Sequence, residues 1–217
     1  MIEVKDLYKD YGTFAALKGI SFSIQKGGLV AFLGPNGAGK TTTLRILTGF
    51  LRATVGRVTV AGFDMDRERM QIKARIGYLP ESAPLPPQLR VGEYLRYRAR
   101  IKGVPGREIR SRITEVLGRC GIEDREKSII ATLSKGYRQR TGLADALISD
   151  PPVIILDEPT IGLDPNQMRE FRELLRELRD EHTVLLSTHI LSEAEAVAER
   201  VLIIKSGSLV ADEGARE

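Results

Sequence analysis

Leu29-Val30-Ala31-Phe32-Leu33-Gly34-Pro35-Asn36-Gly37-Ala38-Gly39-Lys40-Thr41-Thr42 is the stretch that decides the fold of this 217-residue chain. Its first five residues are apolar throughout, where a half-buried strand would alternate. Such a run suits a strand covered on both faces, in a parallel sheet with helices on each side. The residues that follow fit GxxxxGK[ST], and a helix is predicted over Thr41–Thr48. Glycines let backbone N–H groups turn inward around an anion, and a helix N-terminus adds its partial positive charge. Lys40 can then reach the β- and γ-phosphates of a nucleotide, the Thr41 hydroxyl can bind Mg²⁺, and Thr42 is placed for a further phosphate contact. A glycine-rich turn that binds nothing is the plainer alternative. The strand before the loop and the helix after it favour the phosphate site.

A phosphate loop alone leaves kinases, GTPases and ATPases open. A guanine-reading Asn-Lys-x-Asp motif is missing, because the only asparagines are Asn36 and Asn166 and neither precedes a lysine. Farther on, Val153-Ile154-Ile155-Leu156-Asp157-Glu158 is an apolar strand ending in two acids. Asp157 at a strand tip can hold Mg²⁺, and Glu158 can face the attacking water as general base. Two adjacent acids could equally be a solvated strand end, but the phosphate loop favours the catalytic pair.

Around these motifs the chain divides into three textures. Met1–Leu7, Ile20–Gln25 and Arg57–Val60 alternate apolar and polar residues and are predicted strands. Beyond the helix-breaking Ala83-Pro84-Leu85-Pro86-Pro87, helices are predicted over Val91–Ile101, Glu108–Leu117 and Ser134–Ile148. From Pro151 the α/β pattern returns. Asp164-Pro165 makes a good helix start, with a side-chain cap and then proline at the first position. Met168, Phe171, Leu174, Leu175 and Leu178 repeat at helical spacing. Thr183–Ser187 and Val201–Lys205 are further predicted strands, and Ser208–Ala211 is strand-like.

Composition excludes several classes. Lys and Arg number 33 against 29 Asp and Glu, a net charge of +4, with 42% hydrophobic and 29% charged residues. That is a globular composition, not a disordered one. The single cysteine, Cys120, excludes an internal disulfide and fits a reducing compartment. No apolar run approaches the roughly 18–20 residues of a membrane span. The opening residues are charged where a signal peptide needs an apolar core. Residues 82–150 carry 14 basic and 8 acidic side chains, a net +6 that leaves −2 for the rest.

With both acids in place, the chain resembles the nucleotide-binding ATPase of ABC transporters, from about Ile2 to Val210. Leu133-Ser134-Lys135-Gly136-Tyr137-Arg138-Gln139-Arg140 resembles the family signature, usually Leu-Ser-Gly-Gly-Gln. Gly162-Leu163-Asp164 is similar to the D-loop, and Ser187-Thr188-His189 to the switch histidine after a strand. Tyr11 resembles the aromatic that stacks on adenine, and Arg75-Ile76-Gly77-Tyr78-Leu79-Pro80-Glu81 the Q-loop. Taken alone, Tyr11 could merely pack at a strand end and His189 could be an ordinary surface histidine.

The resemblance implies an α/β fold: a P-loop NTPase core of mainly parallel sheet flanked by helices, an N-terminal antiparallel β subdomain and a helical insertion. It implies one domain over 1–217, with the ATP-binding core in 1–80 and 151–217 and the helical signature subdomain in 82–150. Implied cofactors are ATP and Mg²⁺. Glu158 and His189 would be catalytic. Tyr11, Gly34, Pro35, Asn36, Gly37, Ala38, Gly39, Lys40, Thr41, Thr42, Ser134, Gly136 and Asp164 would bind nucleotide. Thr41, Glu81 and Asp157 would hold the metal. Implied partners are a second ATPase subunit, in a homodimer or heterodimer, and a transmembrane permease on a separate chain. Ser134 and Gly136 would act in trans, covering the γ-phosphate held by Lys40 of the other subunit. No nucleic acid is expected as a partner, and the expected location is cytoplasmic, on the inner face of the cell membrane.

Three positions depart from the family pattern. Glu81 stands where most members have Gln, and its Tyr-Leu-Pro-Glu context recurs in a subgroup of two-component exporters. Lys135 replaces the first signature glycine, with its ammonium either toward a phosphate or in solvent. Tyr137 replaces the signature Gln. Relatives of this subgroup usually continue beyond the point where this chain ends, at Glu217. A nucleic-acid or ribosome-associated ATPase is the alternative, motivated by the basic segment. The interleaved acids and the single cassette argue against it, and the intact Glu158 and His189 argue against a non-hydrolysing nucleotide sensor.

Overall fold

The computed structural model describes residues 1–214. Strands β1 (Ile2–Tyr11) and β2 (Phe14–Ile24) form an antiparallel hairpin, closed at Gly12 in the left-handed region. Both run longer than the alternation predicts. Register shifts along the pair let exposed residues such as Lys9 and Asp10 stay in the ladder after the apolar alternation has lapsed. After β3 (Leu29–Leu33) and α1 (Lys40–Leu47), β4 (Val55–Val60) pairs with the other edge of β1, and a short β5 (Phe63–Asp64) completes a four-stranded antiparallel sheet.

The second sheet is built on the apolar strands. After α2 (Arg69–Lys73) come β6 (Ile76–Leu79), the helices α3 (Val91–Ile101), α4 (Ile109–Arg119) and α5 (Lys135–Leu147), then β7 (Val153–Asp157), α6 (Pro165–Glu181), β8 (Thr183–Thr188), α7 (Leu191–Val197), β9 (Arg200–Lys205) and β10 (Ser208–Gly214). The sheet order is β10-β9-β3-β8-β7-β6, parallel except for the β10–β9 pair.

Every residue of β3, β7 and β8 is buried. Leu29, Ala31 and Leu33 face a core shared with α3–α7, whereas Val30 and Phe32 face a second core shared with α1 and the antiparallel sheet. Successive strand residues point to opposite faces, so a sheet covered on both sides needs apolar residues at every position. Phe32 is fully buried, its ring centroid 5.8 Å from that of Phe22.

The helical segment does not stand free. Leu95, Ile113, Leu117 and Leu143 share one core with Leu79, Ile154 and Leu156 of the parallel sheet. Two helix starts fall one residue beyond the predicted ones, and at α5 the reason is that Ser134 is the side-chain cap. Ser134 accepts from the Tyr137 N–H at 3.3 Å, and Glu108 is the residue before α4. Asp145 is buried among Tyr94, Arg98 and Lys102, where its carboxylate accepts from the Tyr94 hydroxyl (3.1 Å) and from Arg98 Nε (2.9 Å). Cys120 is buried, which pushes its thiol up to about 12. Among the described residues no helix is long and apolar enough to cross a membrane.

Candidate functional site

The order of the parallel strands gathers the motifs. β3 lies beside β8 and β8 beside β7, so the phosphate loop, Thr188-His189 and Asp157-Glu158 all leave the carboxyl ends of adjacent strands. This is where open α/β sheets bind ligands. The loop needs its glycines. Gly37 and Gly39 have φ of +78° and +111°. A Cβ on Gly34 would stand 2.3 Å from the Ile204 carbonyl oxygen, which backbone cannot yield. α1 then begins at Lys40, one residue earlier than predicted.

Lys40 is buried, and its Nζ donates to the Gly34 carbonyl at 2.6 Å and to that of Pro35 at 3.3 Å. It also lies 3.1 Å from Glu158 Oε1, an ion pair without the alignment of a hydrogen bond. Thr41 Oγ1 donates to Asp157 Oδ1 at 3.3 Å, and Ser187 Oγ donates to the same oxygen at 2.6 Å. Burial holds the Asp157 carboxyl above the ordinary range, against the lowering effect of those two hydroxyls; the neighbouring Glu158 charge adds to the rise. Its other oxygen, Oδ2, is buried and lacks a partner. A carboxylate oxygen so placed beside a threonine hydroxyl fits the oxygen-rich, few-ligand site of Mg²⁺. Among the described residues no cluster of three or more His, Cys, Asp or Glu offers an all-protein metal cage.

Glu158 is held by its backbone. Its φ is +49°, in the left-handed region that costs a non-glycine residue energy, and its N–H donates to Ser187 Oγ (3.0 Å) and to the Ser187 carbonyl (3.2 Å). Its Oε2 lies 2.9 Å from Nδ1 of the half-exposed His189. A cleft of about 380 Å³ is lined by Tyr11, Asn36, Gly37, Gly39, Lys40, Thr41, Thr42, Glu81, Glu158 and His189, together with Phe14, Ala16 and Ile161. Tyr11 is half exposed, with the Lys9 ammonium 5.1 Å from its ring centroid. Gly34 and Pro35 serve the cleft through the carbonyls that hold Lys40, while Ala38 is buried and its N–H donates to the Pro35 carbonyl.

Ser134, Gly136 and Asp164 are not among the lining residues. They form a second group where α5 and α6 begin. Asp164 caps α6, accepting from the N–H groups of Asn166 (3.0 Å) and Gln167 (2.9 Å), as Asp164-Pro165 predicts. Gln167 packs on Gly136 so closely that a Cβ there would stand 2.6 Å from its Oε1. The Lys135 stem runs across Gly162, whose Cβ would meet Lys135 Nζ at 2.6 Å. Lys135 is exposed, with its ammonium beside the D-loop-like turn.

Ser187, Gln167 and Glu193 are residues that motif reading passed over. Ser187 sat within a quoted motif, but its two-way role at Asp157 and Glu158 depends on the β7–β8 register. Gln167 does carry a local signal, as the third residue after the Asp164 cap in a capping box, where its Oε1 accepts from the Asp164 N–H at 3.3 Å; no local signal marks Glu193.

A family model described as "ABC transporter" matches residues 17–161. Among curated proteins, linearmycin resistance ATP-binding protein LnrL of Bacillus subtilis (strain 168) is 35% identical over 212 residues, covering 97% of this chain and 68% of that protein. Daunorubicin resistance ATP-binding protein DrrA3 of Streptomyces coeruleorubidus is 38% identical over 217 residues, covering 100% of this chain and 69% of that protein. Among solved structures, a dimeric ATP-binding cassette in a post-hydrolysis state, bound to ADP and Pi, superposes with a TM-score of 0.92 at 29% identity, covering 100% of both chains. Fold, cleft and similarity agree: the chain belongs to the ABC transporter family, as one of its ATP-binding ATPases.

Proposed function

We propose that this chain is the energy-coupling subunit of a two-part membrane exporter, hydrolysing ATP·Mg²⁺ between two ATPase subunits. The observation that carries this reading is the meeting of Lys40, Thr41, Glu158 and His189 on one cleft, with Asp157 hydrogen-bonded to Thr41. In it Lys40 and the loop N–H groups of Asn36, Gly37 and Gly39 hold the β- and γ-phosphates, Thr42 adds a contact, and Tyr11 stacks on the base. Thr41, Asp157 and Glu81 would hold Mg²⁺, which when bound neutralises charge on the phosphate oxygens. Glu158 takes the proton of the attacking water, and His189 holds its carboxylate in place and contacts the γ-phosphate side.

Residues 82–150 act as the signature subdomain beside the core of 1–80 and 151–217. Ser134, Gly136 and Asp164 lie apart from the cleft, which supports their service to a second subunit's nucleotide. The dimer is of identical or related chains. A groove of about 1000 Å³, lined by Phe50, Met70, Tyr78, Tyr97 and Ile101 among others, supports docking of a separate transmembrane chain. Its lining includes Pro80 and Ser82, which flank Glu81 of the nucleotide cleft. Docked in that way, the subunit works at the cytoplasmic face of the membrane. Export is favoured by the Glu81 form of the Q-loop and by relatives named for antibiotic resistance and for Nod factor export. A polyanion partner is disfavoured, because Arg98, Lys102, Arg107, Arg110, Arg112, Arg119, Arg125 and Arg140 of the basic segment all pair with acids.

The test is the concentration dependence of phosphate release with ATP and Mg²⁺. A specific activity that rises with protein concentration, in step with ATP-dependent dimers seen by gel filtration, is expected. A specific activity independent of concentration in a monomeric protein would overturn the two-subunit site.

A further inference from the structure

We propose that Glu193, in the first turn of α7, is a positioning residue for hydrolysis that fastens the loop after Glu158 to the turn carrying His189. The inference rests on the roles given above to those two residues. One carboxylate oxygen, Oε2, accepts from two hydroxyls: Thr160 Oγ1 at 2.8 Å and Thr188 Oγ1 at 2.9 Å. Thr160 lies two residues past Glu158, and Thr188 directly precedes His189. The Thr188 oxygen also accepts from the Ile190 N–H at 3.1 Å, so the turn is held on both sides of the histidine.

All three side chains are buried, with Glu193 only 5% exposed. A carboxylate withdrawn from water ordinarily sits against a cation. Here its hydrogen bonds come from two threonines, each on a different loop of the cleft. The strand side of these loops is tied independently, by the Glu158 N–H to Ser187. Glu193 closes the far side. Between the two ties lies the 2.9 Å contact of Glu158 with His189, whose geometry must hold within about half an ångström to be productive. None of the phosphate-loop contacts of Lys40 or Thr41 involves Glu193, so losing it should impair turnover and spare binding.

The test compares kcat with equilibrium affinity for a fluorescent ATP analogue. Glu193→Ala is expected to lower kcat about 10-fold, the usual scale for an outer supporting group, with affinity changed less than about 2-fold. Glu193→Gln keeps an oxygen that can accept both hydroxyls, and should recover most of the rate. Thr160→Val and Thr188→Val should each cost several-fold and add little to Glu193→Ala, since all three act through one junction. Wild-type kcat in Glu193→Ala overturns the proposal. So does a Gln variant no better than Ala, or affinity that falls in step with rate. Should Glu193→Ala fail to fold, Thr188→Val against Thr188→Ser carries the same test, with Ser expected to retain the rate. If Glu158→Gln leaves turnover intact, the underlying reading fails. If Glu158→Gln stops turnover while Glu193→Ala is fully active, this inference alone fails.

Discussion

In the cleft, Lys40, Glu158 and His189 reach one another within a single chain over ion-pair and hydrogen-bond distances, and Asp157 is hydrogen-bonded to Thr41 and Ser187 beside them. The partners come from three neighbouring strand ends. At the corner where α5 and α6 begin, Ser134, Gly136 and Asp164 are tied to that corner itself, through helix caps and the Gln167 side chain. The cleft is a complete acid, base and cation arrangement. The corner presents two capped helix starts, and Ser134, Gly136 and Asp164 are not among the residues that line the cleft. The difference teaches that the two groups of residues are separated in the fold, and what that separation does can be tested experimentally.

The largest effect should come from the cleft. Glu158→Gln is expected to slow turnover by about 10²–10⁴ while ATP binding persists, the usual worth of a general base; single-turnover phosphate release measures it. Lys40→Ala removes a buried cation from the loop carbonyls and the Glu158 carboxylate together. Equilibrium dialysis should show affinity for ATP falling by at least about 100-fold, and tight binding would refute the phosphate-loop assignment. Ser134→Ala should lower turnover about 10-fold and leave binding by the single chain unchanged, because only the corner is touched. The sharper form mixes it with Lys40→Ala. If the corner serves a neighbouring chain, mixed dimers hold one intact site and activity returns. No recovery would place both halves of the site in one chain.

A smaller effect concerns stability. Burial raises the Asp157 carboxyl, so the folded state keeps its proton to higher pH than the unfolded state. Stability therefore falls as pH rises from the ordinary carboxylate range through the raised value. Asp157→Asn removes that cost. It should raise neutral-pH stability by about 1 kcal/mol, a few degrees in a thermal melt, while abolishing Mg²⁺-dependent turnover. A melt that falls would mean the hydroxyls of Thr41 and Ser187 stabilise the charge by more than burial costs it.

Much of this was legible in the residues. The unbroken apolar runs Leu29–Leu33 and Val153–Leu156 require two covered faces, and both have them. Asp164-Pro165 specifies a helix start from local chemistry alone, and α6 begins there. Short elements were not legible. β6 has four residues and α7 seven, too few for a period to show, and both exist by packing against neighbours.

What the sequence by itself determined is the set of groups: a glycine loop with its lysine, an acid pair on a strand end, a histidine after another strand, and the helix caps. These are local, since spacing along a few residues sets which backbone groups turn inward and which side chain comes next. Tertiary structure alone decided the rest. Strand order and packing placed Ser187 between Asp157 and Glu158, laid Lys135 over Gly162, set Gln167 on Gly136 and brought Thr160 to the Glu193 oxygen. Contacts between residues far apart in the chain depend on register and packing, and no window of sequence contains both partners.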